Sequence, residues 1–380
     1  MTSKQPRVAL VHDFINQWGG AERVLYALHE LYPQAPIFTL FYDPDLFKSQ
    51  VGQNQADSLF GLDQASLQTT AMQKLPAWLR NNRLLLPVYP TAIEMLDLSD
   101  YDLIISDSSA FSKGVITRPD AVHICYCHTP TRYLWDWHER YLQEQRLGWF
   151  KRTLLVPFLS LLRVWDFWAA DRVDQFIANS ENVRNRIRKY YDRESQVIYP
   201  PIDVQANRSL VSTTKADRKI KDYYDGLEKD DDYYLVVARL SGYKKVDLAI
   251  EACNRLQLPL VVVGTGREES RLKEMAWSSV RFAGQVSDAQ LVEHYQKCKA
   301  LIMPGEEDFG MVMVEAMSWG KPVIAYKQGG ALEIVQAGIN GEFFAQPKVR
   351  SLMDCLRDFE KKWQAGAYQM IEIFDSIQKI

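Results

Sequence analysis

Short apolar runs alternate with amphipathic segments along most of the chain, and this alternation predicts strands joined by helices. In the first half, the apolar runs predict strands at 7–12, 36–41, 102–106, 122–127 and 176–180. The predicted helices of this half are 21–31, 147–174 and 181–191. In the second half, the predicted strands are 233–238, 258–264, 280–283, 299–303 and 323–326. The predicted helices there are 246–256, 268–276, 288–297 and 311–320. This pattern is typical of an α/β protein with doubly wound parallel sheets.

A proline-rich segment, VIYPPID at 197–203, separates the two halves. Its paired prolines end the preceding strand and stiffen the chain. The polar and charged segment 205–232 that follows predicts a loop or short helices. A length of 380 residues also suits two domains. We therefore expect two Rossmann-like domains, 1–202 and 203–366, that face a cleft.

Composition and charge narrow the possible function classes. Hydrophobic residues make up 47% and charged residues 24% of the chain, as in ordinary soluble proteins. The formal net charge of -3 argues against a nucleic-acid binder, which should carry a basic excess. The five cysteines include no CxxC pair, and the first residues show no signal-peptide pattern. We therefore expect reduced thiols, no metal site and a cytoplasmic protein.

The stretch 147–170 is rich in Trp, Phe and Leu, and it admits two interpretations. Four charged residues interrupt it and exclude a membrane-spanning helix: Lys151, Arg152, Arg163 and Asp166. One interpretation is a helix packed on the sheet or on the other domain. The other is peripheral contact with an anionic membrane, because residues 132–193 contain 12 basic and 8 acidic residues.

An acidic loop followed by a helix lies between two predicted strands, in the segment 303–325, MPGEEDFGMVMVEAMSWGKPVIA. Glu307 lies in the loop, and Glu315 lies about one turn inside the helix. The helix begins with the amides of Gly310, Met311 and Val312. Such amides favour an anion, and carboxylates accept hydrogen bonds from hydroxyls, so together they suggest a sugar nucleotide. The alternative is a solvated acidic cluster favoured by the helix dipole.

Small or charged residues follow several other predicted strands, where ligands bind to doubly wound sheets. Arg239 and Lys244 follow the first strand of the second domain and suit a diphosphate. His128 follows a strand of the first domain, beside an arginine, and this position favours a functional role over a core role. Glycines follow other strands, where bulk would block a ligand: Gly264, Gly284 and the pair Gly329-Gly330. Gly19 and Gly20 lie at the start of the first predicted helix. They either bring the backbone close to a ligand or form a plain tight turn.

These segments resemble one known family. The second half contains ARLSGYKKVDLAIEA, VVVGTGREESRL, VRFAGQVSD, PGEEDFGMVMVEAMSWGKPVIA and KQGGALEIV in that order. It is similar to the carboxyl-terminal domain of the retaining glycosyltransferases of family 4, which have the GT-B fold. The first half is similar to the same family in VHDFINQWGGAERVL, YCHTPTRYLWD, FIANSENVRNRI and VIYPPID. The branch that it resembles is the bacterial mannosyltransferase-like group of surface-polysaccharide assembly.

The resemblance, which covers about residues 7–350, implies roles for both domains. Residues 1–202 would bind the acceptor and 203–366 the nucleotide-sugar donor. A helix at about 367–380 would cross back to the first domain. Four residues would act in catalysis at the donor sugar, the anomeric carbon or the diphosphate: Glu307, His128, Arg239 and Lys244. The other expected donor contacts, with Glu315 on the ribose, are Gly19, Gly20, Gly264, Gly284, Gly310, Met311, Val312 and Glu315.

We therefore expect a retaining hexosyltransferase that requires no metal and no cofactor besides its donor. Fixed cations and amides would stabilise the leaving diphosphate. The expected donor is GDP-mannose, with UDP-sugars next, and the expected acceptor is a saccharide or a lipid-linked saccharide in polysaccharide or glycolipid synthesis. Two alternatives use the same scaffold: an epimerase-like or glycogen-phosphorylase-like enzyme, and a non-catalytic binding protein. Only the expected transferase releases nucleoside diphosphate solely when an acceptor is present.

Overall fold

The computed structural model describes residues 6–43, 66–80, 85–139, 142, 149–202, 233–366 and 368. The chain divides into two compact units, a first unit of Met1–Pro201 and a second unit of Ile202–Ile380. The assignment of acceptor and donor binding to these units stays a prediction. The helix expected at about 367–380 lies outside the described residues except for Tyr368.

The first unit is built on a parallel sheet. Its described strands are β1 (Val8–His12), β2 (Ile37–Thr39), β3 (Leu67–Thr69), β4 (Leu103–Ser108), β5 (Val122–Cys127), β6 (Gln175–Ala178) and β7 (Ser195–Val197). They lie in the order β3-β2-β1-β4-β5-β6-β7. The described helices are α1 (Gly20–Leu31), α2 (Ala77–Arg80), α3 (Tyr89–Glu94), α4 (Trp149–Asp171) and α5 (Glu181–Tyr191). Single 3₁₀ turns occur at Ala71–Lys74 and Ser112–Gly114.

The second unit repeats this architecture. Its described strands are β8 (Tyr234–Val237), β9 (Leu260–Val263), β10 (Val280–Gly284), β11 (Ala300–Met303), β12 (Val323–Tyr326) and β13 (Gly341–Phe344). They form a parallel sheet in the order β10-β9-β8-β11-β12-β13. The helices are α6 (Val246–Leu256), α7 (Glu269–Met275), α8 (Asp288–Lys297), α9 (Met311–Ser318), α10 (Ala331–Ile334) and α11 (Val349–Gln364). A 3₁₀ turn at Gly242–Lys244 follows β8.

Burial explains why these short apolar runs form strands. In β9 all four residues, LVVV, are buried. In β1, Ala9 and Val11 pack into one core cluster, while Leu10 packs into another. Both faces of a parallel sheet are covered, so its strands are apolar throughout. Among the described residues, no helix is both long and apolar enough to cross a membrane.

Several helices begin where the sequence indicates a cap. The Ser180 hydroxyl accepts a hydrogen bond from the Val183 amide at 3.1 Å at the start of α5. Ser287 and Gln290 form a reciprocal capping box at the start of α8. Each cap satisfies amides that have no partner within the helix.

The predicted elements are present with small changes of boundary, and the structure adds others. Strand β7 corresponds to the strand that the paired prolines end, and the sequence analysis did not predict strands β3 and β13 or helices α3 and α11. The long helix predicted at 147–174 spans Trp149–Asp171, and the helix predicted at 311–320 spans Met311–Ser318.

The strand order of each sheet reverses at one point. In the first unit the reversal lies between β1 and β4, and in the second unit it lies between β8 and β11. Ligands of doubly wound sheets bind outside the carboxyl ends of the strands at such a point. The residues that follow these four strands are therefore the first place to look for a site.

Candidate functional site

Lys244 and Glu307 form an ion pair at the reversal point of the second unit. Lys244 ends the 3₁₀ turn after β8, and its Nζ donates to both carboxylate oxygens of Glu307, at 2.6 and 2.7 Å. The two side chains are only 18% and 15% exposed. Burial lowers the pKa of Lys244, but the charge and hydrogen bond of Glu307 outweigh burial, so the pKa is raised. Lys244 is therefore a fixed cation, and the residues predicted for diphosphate and for sugar contact each other.

The loop that carries Glu307 lies directly on the loop that carries Lys244. A Cβ atom on Gly305 would lie 2.9 Å from the carbonyl oxygens of Tyr243 and Lys244, so this approach requires glycine. On the other side, the Gly330 amide donates to the Glu307 carbonyl at 2.9 Å. The backbone of Glu307 is thus held between the loops after β8 and β12.

Arg239 and Tyr243 extend the cationic group at the end of β8. The exposed Arg239 donates from Nη2 to the Tyr243 hydroxyl at 3.1 Å. The Lys244 ammonium lies 5.1 Å from the centre of the Tyr243 ring. Burial raises the pKa of Tyr243, but the charges of Lys244 and Arg239 outweigh it, and the pKa is lowered. The positive charges of Arg239 and Lys244 suit an anion. The sequence analysis did not single out Tyr243.

Helix α9 begins beside this group. Gly310 is its N-cap, with φ of 100°, and half-buried Met311 and Val312 follow. Glu315 lies one turn inside α9 and is 4% exposed. Its Oε2 accepts a hydrogen bond from the hydroxyl of Tyr295 at 2.7 Å. The ribose contact expected for Glu315 stays a prediction, and the structure shows the contact with Tyr295.

The two glycines predicted at neighbouring strand ends have different surroundings. A Cβ atom on Gly264, after β9, would lie 2.1 Å from the carbonyl oxygen of Ala238. The protein backbone, and not only a ligand, therefore requires glycine there. Gly284 ends β10, and a Cβ atom there would have no described heavy atom within 4 Å. The donor contacts expected for both glycines stay predictions.

A chain of acidic and histidine side chains occupies the reversal point of the first unit. His128, directly after β5, contacts Asp107 of β4 through Nε2 and Oδ1 at 2.5 Å. The other oxygen of Asp107, Oδ2, lies 2.8 Å from Nδ1 of His12, the last residue of β1. Nε2 of His12 lies 3.8 Å from Oε1 of Glu22 in α1. Asp107, His12 and Glu22 are all buried.

The two acids raise the pKa of both imidazoles. Burial lowers the pKa of His12, but the hydrogen bonds and charges of Asp107 and Glu22 raise it to about 10. Burial also lowers the pKa of His128, and the charge and hydrogen bond of Asp107 outweigh it, so the pKa is raised. His12 is therefore a cationic partner for both buried carboxylates, as buried charges require.

The glycine loop before α1 joins the same chain of contacts. Gly19 is the N-cap of α1, and its amide donates to Oε2 of Glu22 at 2.9 Å. Gly20 is the first residue of the helix. The structure therefore connects Gly19 to His128 through three buried side chains.

Asp13 fixes the neighbouring backbone. Its two carboxylate oxygens accept hydrogen bonds of 2.6 to 2.8 Å from the amides of Ser109, Ala110, Phe111 and Ser112. The loop after β4 is thus tied to the end of β1. This arrangement holds the β4 end, and with it Asp107, in place.

The sequence analysis missed His12, Glu22 and Asp107 in the first unit. One signal was present, because His12 ends an apolar strand in the same way that His128 follows one. The pairing between strands, which places His12 opposite Asp107, cannot be read from the sequence.

Two units, each built on a doubly wound parallel sheet, form the architecture of the GT-B fold. A solved structure with the same architecture is that of Anabaena HepE in complex with UDP and glucose. It has 20% sequence identity to this chain, a TM-score of 0.63, and 99% coverage of each chain.

Two family models cover most of the chain. The model "Glycosyltransferase Family 4" matches residues 18–206, and the model "Glycosyl transferases group 1" matches residues 218–372. The chain belongs to this family of glycosyltransferases.

The curated relatives include mannosyltransferases. The alpha-1,3/1,6-mannosyltransferase ALG2 of Saccharomyces cerevisiae is 26% identical over 64% of this chain and 54% of its own length. A GDP-mannose-dependent alpha-mannosyltransferase of Corynebacterium glutamicum is 32% identical over 28% of this chain and 25% of its own length. The chain spans about half the length of the first curated relatives that it matches.

Proposed function

We propose that the protein transfers mannose from GDP-mannose, with retention of configuration and without a metal ion, to a saccharide or lipid-linked acceptor. The observation that carries this proposal is the group formed by Arg239, Lys244 and Glu307 at the carboxyl ends of β8 and β11. It combines two cations with a carboxylate beside the first amides of a helix. A sugar diphosphate presents the complementary phosphates and hydroxyls.

The ion pair suggests how the donor would bind. The diphosphate would form an ion pair with Lys244 and replace part of its contact with Glu307. The Glu307 carboxylate would then accept hydrogen bonds from sugar hydroxyls. As the glycosidic bond breaks, negative charge grows on the leaving diphosphate, where Arg239, Lys244 and the α9 amides can stabilise it. The leaving phosphate would accept the proton of the acceptor hydroxyl, which is consistent with retention.

Mannose and guanine are supported by the names of the relatives. ALG2 is a mannosyltransferase, and the Corynebacterium protein is described as GDP-mannose-dependent. The HepE complex contains UDP and glucose, so a UDP-sugar is the competing donor.

Thermal-shift measurements with GDP, UDP and ADP, with and without EDTA, test the donor. A nucleotide at 100 times its Kd should stabilise the native chain by about 2.7 kcal/mol. With all three nucleotides at one concentration, 100 times the Kd of GDP, we expect GDP to give the largest shift and EDTA to leave it unchanged. A larger shift with UDP would identify a UDP-sugar as the donor, and loss of the shift in EDTA would refute metal independence. Release of GDP from GDP-mannose without an acceptor would instead favour another reaction.

A lipid-linked acceptor would require contact with a membrane, and one face of α4 suits such contact. Leu161, Val164 and Trp168 recur at helical spacing and are 70%, 56% and 61% exposed. The surrounding sequence, 132–193, has 12 basic against 8 acidic residues. Apolar side chains beside basic charge favour an anionic lipid surface.

Sedimentation with phosphatidylglycerol vesicles at low salt tests this contact. We expect Trp168→Ser to reduce the bound fraction several-fold. Trp277→Ser is the matched control, because Trp277 is equally exposed, at 61%, but lies in the second unit. Equal binding by both variants, or no binding by the wild type, would rule out α4 as the contact.

A further inference from the structure

The chain of buried contacts in the first unit ends on His128, and its other members have no assigned role. We propose that His12 is a positioning residue that, together with Glu22 and through Asp107, sets the orientation and protonation of His128. The inference rests on the proposed function, because it supposes that His128 meets the donor sugar.

The geometry allows a single pattern of proton donors. Asp107 is buried and shares its two oxygens between two rings, His128 on Oδ1 and His12 on Oδ2. A carboxylate only accepts, so each ring must present an N–H to it. His12 also faces Glu22 with its second nitrogen. An imidazolium at His12 presents an N–H and a positive charge to both acids, whereas a neutral ring presents one N–H to one acid and a charge to neither.

This pattern defines which ring nitrogen of His128 is available to contact a substrate. Nε2 donates to Asp107, so Nδ1 is the nitrogen that can meet a substrate hydroxyl or phosphate. The His128 amide also donates to the carbonyl of Ser108 at 2.9 Å, which ties the residue to the end of β4. The ring is thus held from both its backbone and its side chain, as a precise site requires.

The chain of contacts from Glu22 through His12 and Asp107 to His128, here called the relay, is held rigid by the strands. His12 and Asp107 are register partners in the β1–β4 pair, at the reversal of strand order. Their separation is therefore set by the parallel ladder and not by flexible loops. Glu22 is likewise held, because its other oxygen accepts the Gly19 amide.

Charged groups act on His128 from three elements, and their signs differ. Asp107 of β4 and Glu22 of α1 raise the pKa of His128, whereas the charge of His12 from β1 lowers it. The Tyr126 ring of β5 lies 5.3 Å from the His128 ring. Its hydroxyl is neutral because burial, with the nearby Asp107, raises its pKa. Removal of His12 should therefore move the pKa of His128 in the opposite direction from removal of Asp107.

Titration of His128 by NMR, in the full chain with labelled histidine, tests the sign pattern. His12→Gln should raise the apparent pKa of His128, and Asp107→Asn should lower it. His123→Gln is the control, because His123 is also buried in this sheet but contacts Ser106 instead, at 2.8 Å. It should leave the titration of His128 unchanged. If His12→Gln does not fold, Glu22→Gln removes the outer member and should lower the pKa.

Kinetics provide the second readout. With GDP-mannose and an acceptor, His12→Gln should lower kcat by about 10- to 100-fold, as misplaced groups do, with a smaller effect on KM. The pH–rate limb of His128 should move upward, and His123→Gln should keep the wild-type profile. An unchanged His128 titration in folded His12→Gln or Glu22→Gln would overturn the relay. If the wild type turns over no sugar nucleotide, the proposed function fails, and the titration still decides the relay.

Discussion

At the scale of single residues, the two cations after β8 differ in what holds them. Arg239 is exposed, while Lys244 is largely buried against Glu307. Loss of a partly buried partner leaves the other charge unsatisfied, which costs about 1–3 kcal/mol. Sequence alone gives both cations the same role, because the contact joins residues 63 positions apart.

We expect Arg239→Ala and Lys244→Met to separate activity from stability. Both should lower turnover by about 100-fold or more, as loss of a charge-stabilising donor does. Only Lys244→Met should also lower the free energy of unfolding, because Glu307 loses its cation. Steady-state kinetics and urea denaturation measure the two effects.

The double variant Lys244→Met/Glu307→Gln is the control for the ion pair. It should regain part of the stability lost in Lys244→Met, since neither charge is then left alone, while its activity stays low. Equal stability of Lys244→Met and the wild type would show that the pair contributes nothing to folding.

His294 gives the second unit a dependence of stability on pH. Burial, with the charge of nearby Lys297, lowers the pKa of His294 to about 4 from 6.5. The unfolded chain takes up the proton first, so this contribution is present above pH 6.5 and is lost as pH falls towards 4. We expect the wild type to lose about 2 kcal/mol more than His294→Gln between pH 7 and pH 5. Denaturant titration at the two pH values measures this difference in the free energy of unfolding. Equal losses in the wild type and in His294→Gln would contradict the role of His294.

At the scale of elements, one buried acid anchors helix α4. Asp166 is fully buried and accepts hydrogen bonds from Lys113 at 2.6 Å, Thr131 at 2.7 Å, Trp135 at 2.8 Å and Tyr191 at 2.9 Å. These donors come from the segments after β4 and β5 and from α5. Asp166 interrupts the apolar pattern in the sequence, and the structure shows that it faces the interior.

We expect Asp166→Asn to destabilise the first unit by about 3–5 kcal/mol, because it leaves Lys113 buried without its counter-ion. Asp171→Asn, on the same helix but exposed, should change stability by less than about 0.5 kcal/mol. Denaturant titration monitored by tryptophan fluorescence compares the two. Similar effects of both substitutions would argue against the anchor.

An unbroken apolar run decides which strands the sequence predicts. Strands of four buried apolar residues, such as β9 and β11, form runs that stand out. Strand β3, LQT, contains a single apolar residue and therefore forms no apolar run. Strand β13, GEFF, begins with a glycine and carries an acid. Such strands join a sheet because their neighbours offer free backbone groups, which is tertiary information.

At the scale of the whole molecule, the alternation of strands and helices predicts two parallel sheets, and both are present. The strand order is a different matter, because it depends on which edge each new strand joins. The reversal between β1 and β4 and between β8 and β11 is what places His12 by Asp107 and Lys244 by Glu307. Some residues at strand ends, such as His128 and Arg239, were predictable, whereas His12, Asp107 and the contacts between these residues were not.

Hydrogen exchange of the whole chain with and without GDP tests the division of labour between the units. The residues proposed to bind the diphosphate lie entirely in the second unit: Arg239, Lys244, Glu307 and Gly310. We therefore expect GDP to slow exchange in 239–245 and 305–313, because it orders these loops and occupies the α9 amides. Segments around His12 and Asp107 should keep their rates with GDP alone, since their contacts lie within the first unit. Arg239→Ala is the control and should lose the GDP-dependent protection at equal nucleotide concentration. Protection confined to the first unit would place the nucleotide elsewhere and would remove Lys244 and Glu307 from the site.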